Sequence, residues 1–587
     1  MKRLSCLFLI ALIASCGART GDLGSPPVPT LRPPASADAG RARDGAVSDA
    51  AEASPPRDAN DASVGHDAGG DAARDAREPS VDALFDRASP PIVAPRPIAP
   101  LSTARVTRRT PTLHWTLPPG VDDVTVDLCL DRACTVPIGA PVHVAGTSYA
   151  PAGDLAVGVV YWRLHPSTVT ALVSPTWEFI VGAASAPIDD SSGTTLDVNG
   201  DGYADVAVGG TNEADGTGAT YIYLGSASGL PTTPGLTLTR PYPNGGEFGV
   251  AVASAGDVDG DGYGDLIAFI GANVYVYLGG PTGIVSAPVL LSAPGPVGVA
   301  VASAGDVNGD GYGDVVVGGW TNGEAYLYFG GPTGPATSPS VVLTGLPVTG
   351  TVYSSSVAGA GDVNADGYAD VIVGVDRDSN PGPCVVYLGG QAGPAGTPSF
   401  TLAVAAGADS TFGTSVAMAG DVNGDGYSDV LVGAWGAMRA YVYLGGASGL
   451  ATTPATTLSA PEGTAGTFGF VASAGDVNGD GFADVLVGGN VFLGSVTGIS
   501  TRAITLTETG GMTGAFGTAV SSAGDVNGDG FADVLVGDYA VFDAEANTQG
   551  DVGVYLGNAM GVRTVASATL TSPTASVFGI TVFGATN

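Results

Sequence analysis

One nine-residue pattern, repeated seven times, constrains the fold of this chain more than any other feature. The pattern reads Asp-x-Asn/Asp-x-Asp-Gly-Tyr/Phe-x-Asp, and its first copy, DVNGDGYAD, begins at Asp197. The other copies begin at Asp257, Asp306, Asp362, Asp421, Asp476 and Asp525. Repeats spaced by roughly 50 to 60 residues indicate an array of similar units, each of which buries its apolar face against its neighbours.

Strand-like apolar segments surround each copy. Around the sixth copy they read YVYLGG (441–446), ATTLSA (455–460), FGFVASAGD (468–476) and DVLVGG (484–489). Four short strands in about 55 residues are typical of one β-propeller blade. A parallel β-helix is the competing repeat architecture, but its periods are much shorter. We therefore expect an all-β chain in which residues 187–587 form a seven-bladed β-propeller.

The spacing of oxygen donors within each copy predicts a calcium site. Positions 1, 3, 5 and 9 carry Asp or Asn, position 7 offers a backbone carbonyl, and Gly at position 6 permits a sharp turn. Such hard oxygen ligands suit Ca²⁺, which takes about six to eight of them. An EF-hand is excluded, because position 12 is apolar and the continuation is rich in strand formers. The alternative is a series of Asx-turns that hold no metal.

The predicted ligands would hold up to seven Ca²⁺ ions and include twenty-two of the 56 acidic residues. Three carboxylates within nine residues repel one another unless a cation lies between them. Seven Ca²⁺ ions would change the formal net charge of −35 to −21. The ligands are Asp197, Asn199, Asp201, Tyr203, Asp205, Asp257, Asp259, Asp261, Tyr263, Asp265, Asp306, Asn308, Asp310, Tyr312, Asp314, Asp362, Asn364, Asp366, Tyr368, Asp370, Asp421, Asn423, Asp425, Tyr427, Asp429, Asp476, Asn478, Asp480, Phe482, Asp484, Asp525, Asn527, Asp529, Phe531 and Asp533.

Phe-Gly pairs accompany the acidic pattern. With the calcium loops, these pairs resemble the FG-GAP repeats of the integrin α-subunit propeller and of many bacterial surface proteins. That resemblance implies a calcium-loaded propeller used in adhesion or recognition. Repeats three and four depart from it, with Val297-Gly298 and Tyr353-Ser354 in place of Phe-Gly. The pairs are Phe248-Gly249, Phe412-Gly413, Phe468-Gly469, Phe516-Gly517 and Phe578-Gly579.

The ends of the repeat array predict how it closes. Phe412 lies nine residues before Asp421, and Phe578 lies nine residues before the last residue, Asn587. The chain therefore ends where an eighth loop would begin, while the first loop lacks its own Phe-Gly strand. We expect the strand around Phe578–Gly584 to join the blade opened by residues 197–225 and to hide both sheet edges.

The N-terminal segments predict export and a lipid anchor. Residues 1–16 have a basic start, a short apolar stretch and the ending Ile-Ala-Ser-Cys, which resembles the lipobox of bacterial lipoproteins. The resemblance implies that Cys16 is lipidated and that Gly17 favours the outer membrane or cell surface. An ordinary secretory signal is the alternative. Residues 17–94 are too poor in apolar side chains to fold, so we expect a disordered tether.

Residues 95–182 predict a small β-sandwich. Alternating segments such as TLHWTL (112–117), VTVDLCL (124–130), VYWRLHP (160–166) and TWEFIV (176–181) read as strands. Together with Trp115 and Trp162 they resemble a fibronectin type III domain. Cys129 and Cys134 lie close enough in sequence for a small disulfide loop, although the sequence leaves the connectivity open. A spacer is the first interpretation of this domain, and carbohydrate or protein binding is the alternative.

The remaining evidence favours binding over catalysis. The net charge of −35 opposes nucleic acid as a partner. Residues 187–587 contain neither His nor Lys, which removes the usual general bases from the propeller. We expect a monomeric, non-enzymatic protein that contacts the membrane through its lipid anchor only and recognises an extracellular protein or glycan. The alternatives are a structural envelope scaffold and a propeller enzyme such as a polysaccharide lyase. Specificity is predicted to lie in the variable stretches 211–217, 320–324, 376–383 and 538–551. Trp320, Trp435 and Tyr539 are interpreted first as core residues between blades and alternatively as exposed anchors for a ligand.

Overall fold

A computed structural model describes residues 93–586, which lie within one compact unit, Pro90–Asn587. The predicted signal, tether and Cys16 therefore lie outside the described residues. Within the described part of the chain, no helix is long and apolar enough to cross a membrane. The description leaves out residues 103, 107, 183–190, 212–217, 242–247, 271–272, 285–286, 320–322, 346–352, 377–381, 403, 405–410, 463–465, 508–515, 539–549, 572–576 and 584.

The first eight strands form two sheets around an apolar core. They are β1 (Arg96–Ala99), β2 (Ala104–Val106), β3 (Leu113–Thr116), β4 (Asp123–Cys129), β5 (Val142–Ala145), β6 (Ser148–Tyr149), β7 (Gly158–Pro166) and β8 (Trp177–Val181). One sheet has the order β1-β3-β6, and the other begins β5-β4-β7-β8-β2. Trp115 from the first sheet packs with Trp162 and Trp177 from the second. The four predicted strands are confirmed, and this unit is called the sandwich below.

Seven four-stranded antiparallel units follow, after a connecting strand β9 (Ser191–Thr195). Six of them are separate sheets, and the strands of the seventh belong to an eleven-stranded sheet that continues through β9 into the sandwich. Each unit is called a sheet below. The first sheet contains β10 (Val206–Thr211), β11 (Ala219–Tyr223) and β12 (Leu236–Thr239). The second contains β13 (Ala251–Gly256), β14 (Asp265–Ile270), β15 (Asn273–Tyr277) and β16 (Val289–Leu291). The third contains β17 (Val297–Gly305), β18 (Asp314–Gly319), β19 (Ala325–Tyr328) and β20 (Val341–Leu343). The next two contain β21 (Tyr353–Gly361), β22 (Asp370–Asp376), β23 (Cys384–Tyr387), β24 (Phe400–Leu402); and β25 (Ser415–Gly420), β26 (Asp429–Ala434), β27 (Arg439–Tyr443), β28 (Thr456–Ser459), with a 3-10 helix at Trp435–Ala437. The last two contain β29 (Val471–Gly475), β30 (Asp484–Val487), β31 (Asn490–Phe492), β32 (Ala503–Thr505); and β33 (Phe516–Gly524), β34 (Asp533–Asp538), β35 (Asp551–Tyr555), β38 (Ala568–Thr571), with a hairpin of β36 (Gly557–Asn558) and β37 (Gly561–Val562). The C-terminal strands are β39 (Val577–Phe583) and β40 (Ala585–Thr586).

The second to seventh acidic loops each connect the first two strands of one sheet, whereas the first loop, residues 197–205, lies between β9 and β10. In the fifth sheet, Gly420 at the end of β25 pairs with Asp429 at the start of β26. The four segment types predicted for a blade are all strands, but their grouping differs. The sequence analysis takes YVYLGG at 441 as the first strand of a blade, whereas the sheet that contains this segment begins at Ser415. The loop between β25 and β26 is a tight turn, so the strands on both sides of it belong to the same sheet.

Apolar clusters join each sheet to the next one in a cyclic order. Strands such as β14 and β26 are buried along their whole length, as expected for sheets covered on both faces. Each of seven clusters contains residues of two neighbouring sheets, and one of them joins Val208 of the first sheet to Leu535 of the seventh. This all-β arrangement is consistent with the blades of a propeller.

The C-terminal strand completes the first sheet. Strand β39 pairs antiparallel with β10, and the partners include Ala207 with Phe583 and Thr211 with Val577. The first sheet therefore has the order β12-β11-β10-β39 and joins the two ends of the repeat array. The prediction that the strand around Phe578–Gly584 pairs with the first blade is confirmed.

Candidate metal centres

The seven acidic loops share one hydrogen-bonded frame built around the Asp at position 1. In the third loop, Oδ1 of Asp306 accepts the N–H groups of Gly309 at 2.7 Å and Asp310 at 3.1 Å, and Oδ2 accepts that of Gly311 at 2.7 Å. The bond from position 6 recurs in all seven loops. The loop backbone therefore wraps around this carboxylate with a positive φ at positions 4 and 6, where every loop has glycine except for Ala365 at position 4 of the fourth.

Positions 3 and 5 form the outer part of each loop. In the third loop, Nδ2 of Asn308 donates to Oδ2 of Asp310 at 3.0 Å, and Oδ1 of Asp310 accepts the N–H of Tyr312 at 3.0 Å. The Asn–Asp bond recurs in each of the six loops that carry Asn at position 3. Bonds such as that from the Tyr312 N–H to Asp310 are the Asx-turn bonds expected if the loops hold no metal, and they are present.

The Asp at position 9 lies beneath each loop and is fully buried. In the third loop, Oδ2 of Asp314 accepts the N–H of Val307 at 2.9 Å, and its Oδ1 accepts that of Gly330, beyond the third strand, at 2.8 Å. The same two bonds are present in all seven sheets. Position 9 therefore fixes the loop to the sheet, a structural role that the sequence pattern did not distinguish from metal binding.

Backbone hydrogen bonds link consecutive loops into a closed ring. The N–H at position 8 of each loop donates to the carbonyl at position 1 of the preceding loop, as from Gly264 to Asp197 at 2.7 Å. The ring closes where Ala204 of the first loop donates to Asp525 of the seventh at 3.2 Å. The aromatic ring at position 7 also packs on the preceding loop, since a Cβ on Gly200 would lie 2.8 Å from Tyr263. The side chain at position 7 therefore contributes a packing contact between neighbouring loops.

The second loop brings together the densest group of carboxylates. Asp259 replaces the Asn that the other loops have at position 3. Oxygen atoms of Asp257, Asp259 and Asp265 all lie within 4.8 Å of one another. Oδ1 of Asp259 is buried and has no hydrogen-bond partner. An orphaned buried oxygen among convergent carboxylates fits a divalent cation, so the donors present are compatible with Ca²⁺.

Burial raises the pKa of the Asp at position 9 in all seven loops and of the Asp at position 1 in the first six. Burial raises the pKa of Asp197 to about 6 and those of Asp306 and Asp429 to about 7, and neighbouring carboxylates of the same loop add to the effect. The pKa of Asp261 is raised to about 7 by burial and by the charge of Asp259. The loops therefore hold ionised carboxylates poorly at neutral pH unless a cation compensates the charge.

Two further sets of predicted residues have different outcomes. Cys129 and Cys134 are joined as a disulfide, with Cα atoms 5.1 Å apart. Of the predicted specificity residues, Trp435 is half-buried at the start of the 3-10 helix, while Trp320 and Tyr539 lie outside the described residues.

Glu178 is a site residue that the sequence analysis missed. It comes from β8 of the sandwich, is 1% exposed, and its carboxyl group contacts that of Asp257 in the second loop. Burial, followed by the charge of Asp257, raises its pKa well above the usual range. The available signal was a single acidic residue within the otherwise apolar strand WEFIV, but nothing in the sequence identified its partner.

Comparison with known families agrees with this geometry. The FG-GAP-like repeat matches residues 197–268, 257–317, 306–373, 362–432 and 421–487. The fold and loops thus define a protein that contains FG-GAP repeats similar to those of integrin alpha chains.

Individual relatives show how far the similarity extends. Mouse integrin alpha-IIb is 34% identical over 164 residues, which are 26% of this chain and 15% of that protein. Rat integrin alpha-7 is 37% identical over 158 residues, which are 26% of this chain and 14% of that protein. The chain thus matches less than a fifth of the length of either relative. A solved structure of a protein from Lactobacillus plantarum has a TM-score of 0.35 and 12% identity, and covers 66% of this chain and 100% of that one.

Proposed function

We propose that this protein is a surface-anchored recognition or adhesion protein whose seven sheets form a calcium-loaded, seven-bladed β-propeller. The observation that carries the proposal is the closed ring of seven acidic loops in repeats similar to those of integrin alpha chains. Propellers present a broad face of loops to a ligand. The partner is an extracellular protein or glycan, and the sandwich and the tether act as spacers.

In each loop, the carboxylates at positions 1, 5 and 9, the side chain at position 3 and the backbone carbonyl at position 7 would hold Ca²⁺. The buried Asp at position 9 would also fix the site to the sheet. When bound, the ion supplies the positive charge that the crowded carboxylates require. The protein supplies preformed backbone turns, because the N–H groups at positions 4 to 6 already orient the first Asp. Calcium would therefore stiffen a ring that backbone hydrogen bonds already close.

We expect calcium removal to lower the thermal stability of the full chain substantially. A ligand that binds only the folded state stabilises it by mass action, by about 2.7 kcal/mol per site at a hundredfold excess over Kd. Calorimetric titration would give the stoichiometry, and melting with calcium or chelator would give the stabilisation. Magnesium at equal concentration is the control. A melting temperature indifferent to both chelator and calcium would contradict the metal assignment.

Recognition is tested by binding of the full chain to arrays of glycans and extracellular proteins. We expect specific binding that chelator abolishes. An absence of binding would favour the structural scaffold. Turnover of acidic polysaccharides would favour the enzyme alternative, which uses carboxylate or Arg chemistry because residues 187–587 lack His and Lys.

Display at the cell surface requires the proposed lipid anchor at Cys16. Stable attachment takes more than one buried acyl chain, which a diacylated cysteine provides. Cells fed labelled fatty acid are expected to label the protein, and Cys16→Ser is expected to abolish the label. Cys384→Ser is the matched control, since that thiol is buried in the described fold. Label that persists in Cys16→Ser would show that the lipobox interpretation is wrong.

A further inference from the structure

We propose that a divalent cation in the second loop latches the sandwich onto the propeller through Glu178 and Arg132. The inference rests on the proposed calcium binding and goes beyond it, because it assigns the sandwich a role other than that of a spacer. Four features support it. The sandwich contacts the acidic loops, and it contacts some of these loops and not others. Charged side chains are buried where the sandwich meets the second loop, and a cation would turn the repulsion between them into attraction.

The sandwich lies directly against the acidic loops. Nε1 of Trp177 donates to the carbonyl of Gly309 at 3.3 Å, and Oγ of Ser102 donates to that of Gly311 at 3.0 Å. The hydroxyl of Tyr161 donates to the carbonyl of Gly260 at 3.4 Å. These acceptors are loop backbone atoms, so the contact depends on the shape that each loop adopts.

The contact involves some loops and not others. A Cβ at position 6 would lie 2.3 Å from Val157 in the first loop, at Gly202, and 2.3 Å from the Thr176 carbonyl in the third, at Gly311. In the fifth loop, by contrast, Gly426 is exposed and a Cβ there would meet nothing within 4 Å. The fifth loop, which does not contact the sandwich at this position, therefore provides a control within the same molecule.

Buried charges meet at the second loop. Oε2 of Glu178 lies 3.3 Å from Nη1 of Arg132, whose guanidinium stacks 3.7 Å above the ring of Tyr312. The carboxyl group of Glu178 also contacts that of Asp257. A small cavity lined by residues of both elements, among them Ile180 and Tyr263, lies beside this contact. Arg132 thus supplies one positive charge against Glu178 and the four carboxylates of the loop.

The cation changes the sign of this interaction. Without it, Glu178 and Asp257 cannot both be ionised at this contact, because like charges at low dielectric repel each other strongly. With a divalent cation held by Asp257, Asp259 and Asp265, the loop attracts Glu178 instead. Calcium therefore favours the docked sandwich, and by linkage the docked sandwich increases the affinity of the second loop for calcium.

Hydrogen–deuterium exchange on the full chain tests the latch, with calcium saturation and depletion as the two states. The readout is amide exchange in the interface segments 130–135 and 174–178. In the wild type, depletion should accelerate exchange there by about tenfold, within the usual range of coupling between sites. Glu178→Gln should remove this response, because a neutral amide can donate to Asp257 without a cation. Arg132→Met should enlarge the response, since it leaves the repulsion uncompensated.

Two controls separate the latch from general calcium binding. Glu462→Gln removes the same charge at an exposed position and should respond as the wild type does. Asp421→Asn in the fifth loop should lose one equivalent of calcium in calorimetric titration yet keep the interface response. A wild type that binds no calcium overturns the proposed function and the latch together. A wild type that binds calcium without an interface response, or Glu178→Gln that responds fully, overturns the latch alone.

Discussion

At the scale of single residues, the glycines that follow Phe248, Phe412, Phe468 and Phe516 lie directly against the preceding sheet. The preceding phenylalanine fills the core, as Phe468 does at 6.1 Å from the ring of Phe492. The glycine then turns with a positive φ, which is 119° at Gly469, and faces the neighbouring sheet. A Cβ on Gly469 would lie 2.4 Å from Cα of Trp435 in the fifth sheet. The Phe-Gly pair therefore combines a core anchor with a backbone contact that admits no side chain.

Gly469→Ala is expected to destabilise the protein by about 2–4 kcal/mol, because it adds a backbone clash to the strain of positive φ. Gly498→Ala is the matched control. Gly498 also has a positive φ, of 90°, but a Cβ there would meet nothing within 4 Å, so strain alone should cost about 1 kcal/mol. Chemical denaturation of both variants in saturating calcium measures the difference. An equal loss of stability in the two variants would show that the close approach of Gly469 to Trp435 is not the reason for glycine at this position.

At the scale of elements, the acidic loop is a self-contained turn whose backbone is oriented by its own first carboxylate. The sequence predicted the loops, their strands and the C-terminal strand that completes the first sheet, because a strict spacing of Asp and Gly reports local backbone geometry directly. The sequence did not predict the docking of the sandwich on the loops. Residues such as Arg132 and Glu178 carry no periodic signal, and their partners on the loops, Tyr312 and Asp257, lie about 80 or more residues away in sequence. The predicted grouping of strands into sheets was also wrong. The spacing of the acidic pattern gives the length of one repeat, but it does not show at which strand each sheet begins.

Asp421→Ala is expected to remove one calcium equivalent and leave the other loops loaded. Its carboxylate accepts the N–H groups of Gly424 and Gly426, both at 2.7 Å. Because this loop is exposed, losing these bonds should cost only about 1 kcal/mol in the absence of calcium. Asp122→Ala, at an exposed position in the sandwich, is the control. Calorimetric titration with calcium gives the stoichiometry, and loss of several equivalents would show that the loops bind cooperatively rather than one by one.

At the scale of the whole molecule, the seven loops form a ring in which each loop is hydrogen-bonded to both neighbours. The apolar clusters follow the same cyclic order and join the seventh sheet to the first. In the described part of the ring, each sheet therefore packs against a neighbouring sheet on both faces, and strand β39 joins the C-terminal end of the repeat array to its first sheet. Because the acidic loops are bonded to one another around the ring, the charge of their carboxylates affects the whole fold. We therefore expect pH and calcium to change the stability of the entire domain.

Calcium is expected to reverse the pH dependence of stability. In the cation-free protein, burial raises the folded-state pKa of Asp197 to about 6 and those of Asp306 and Asp429 to about 7, above the ordinary value of 3.8. The folded state then binds protons more tightly than the unfolded chain. The resulting stabilisation is fully present below the unfolded pKa and is lost as pH rises through about 6 to 7. With calcium, the ionised carboxylates are the binding form, so stability should instead rise over the same range. Melting at about pH 5 and about pH 8, after cation removal and again in millimolar calcium, checks both signs. A cation-free protein that melts higher at pH 8 than at pH 5 would show that these carboxyls do not control its stability.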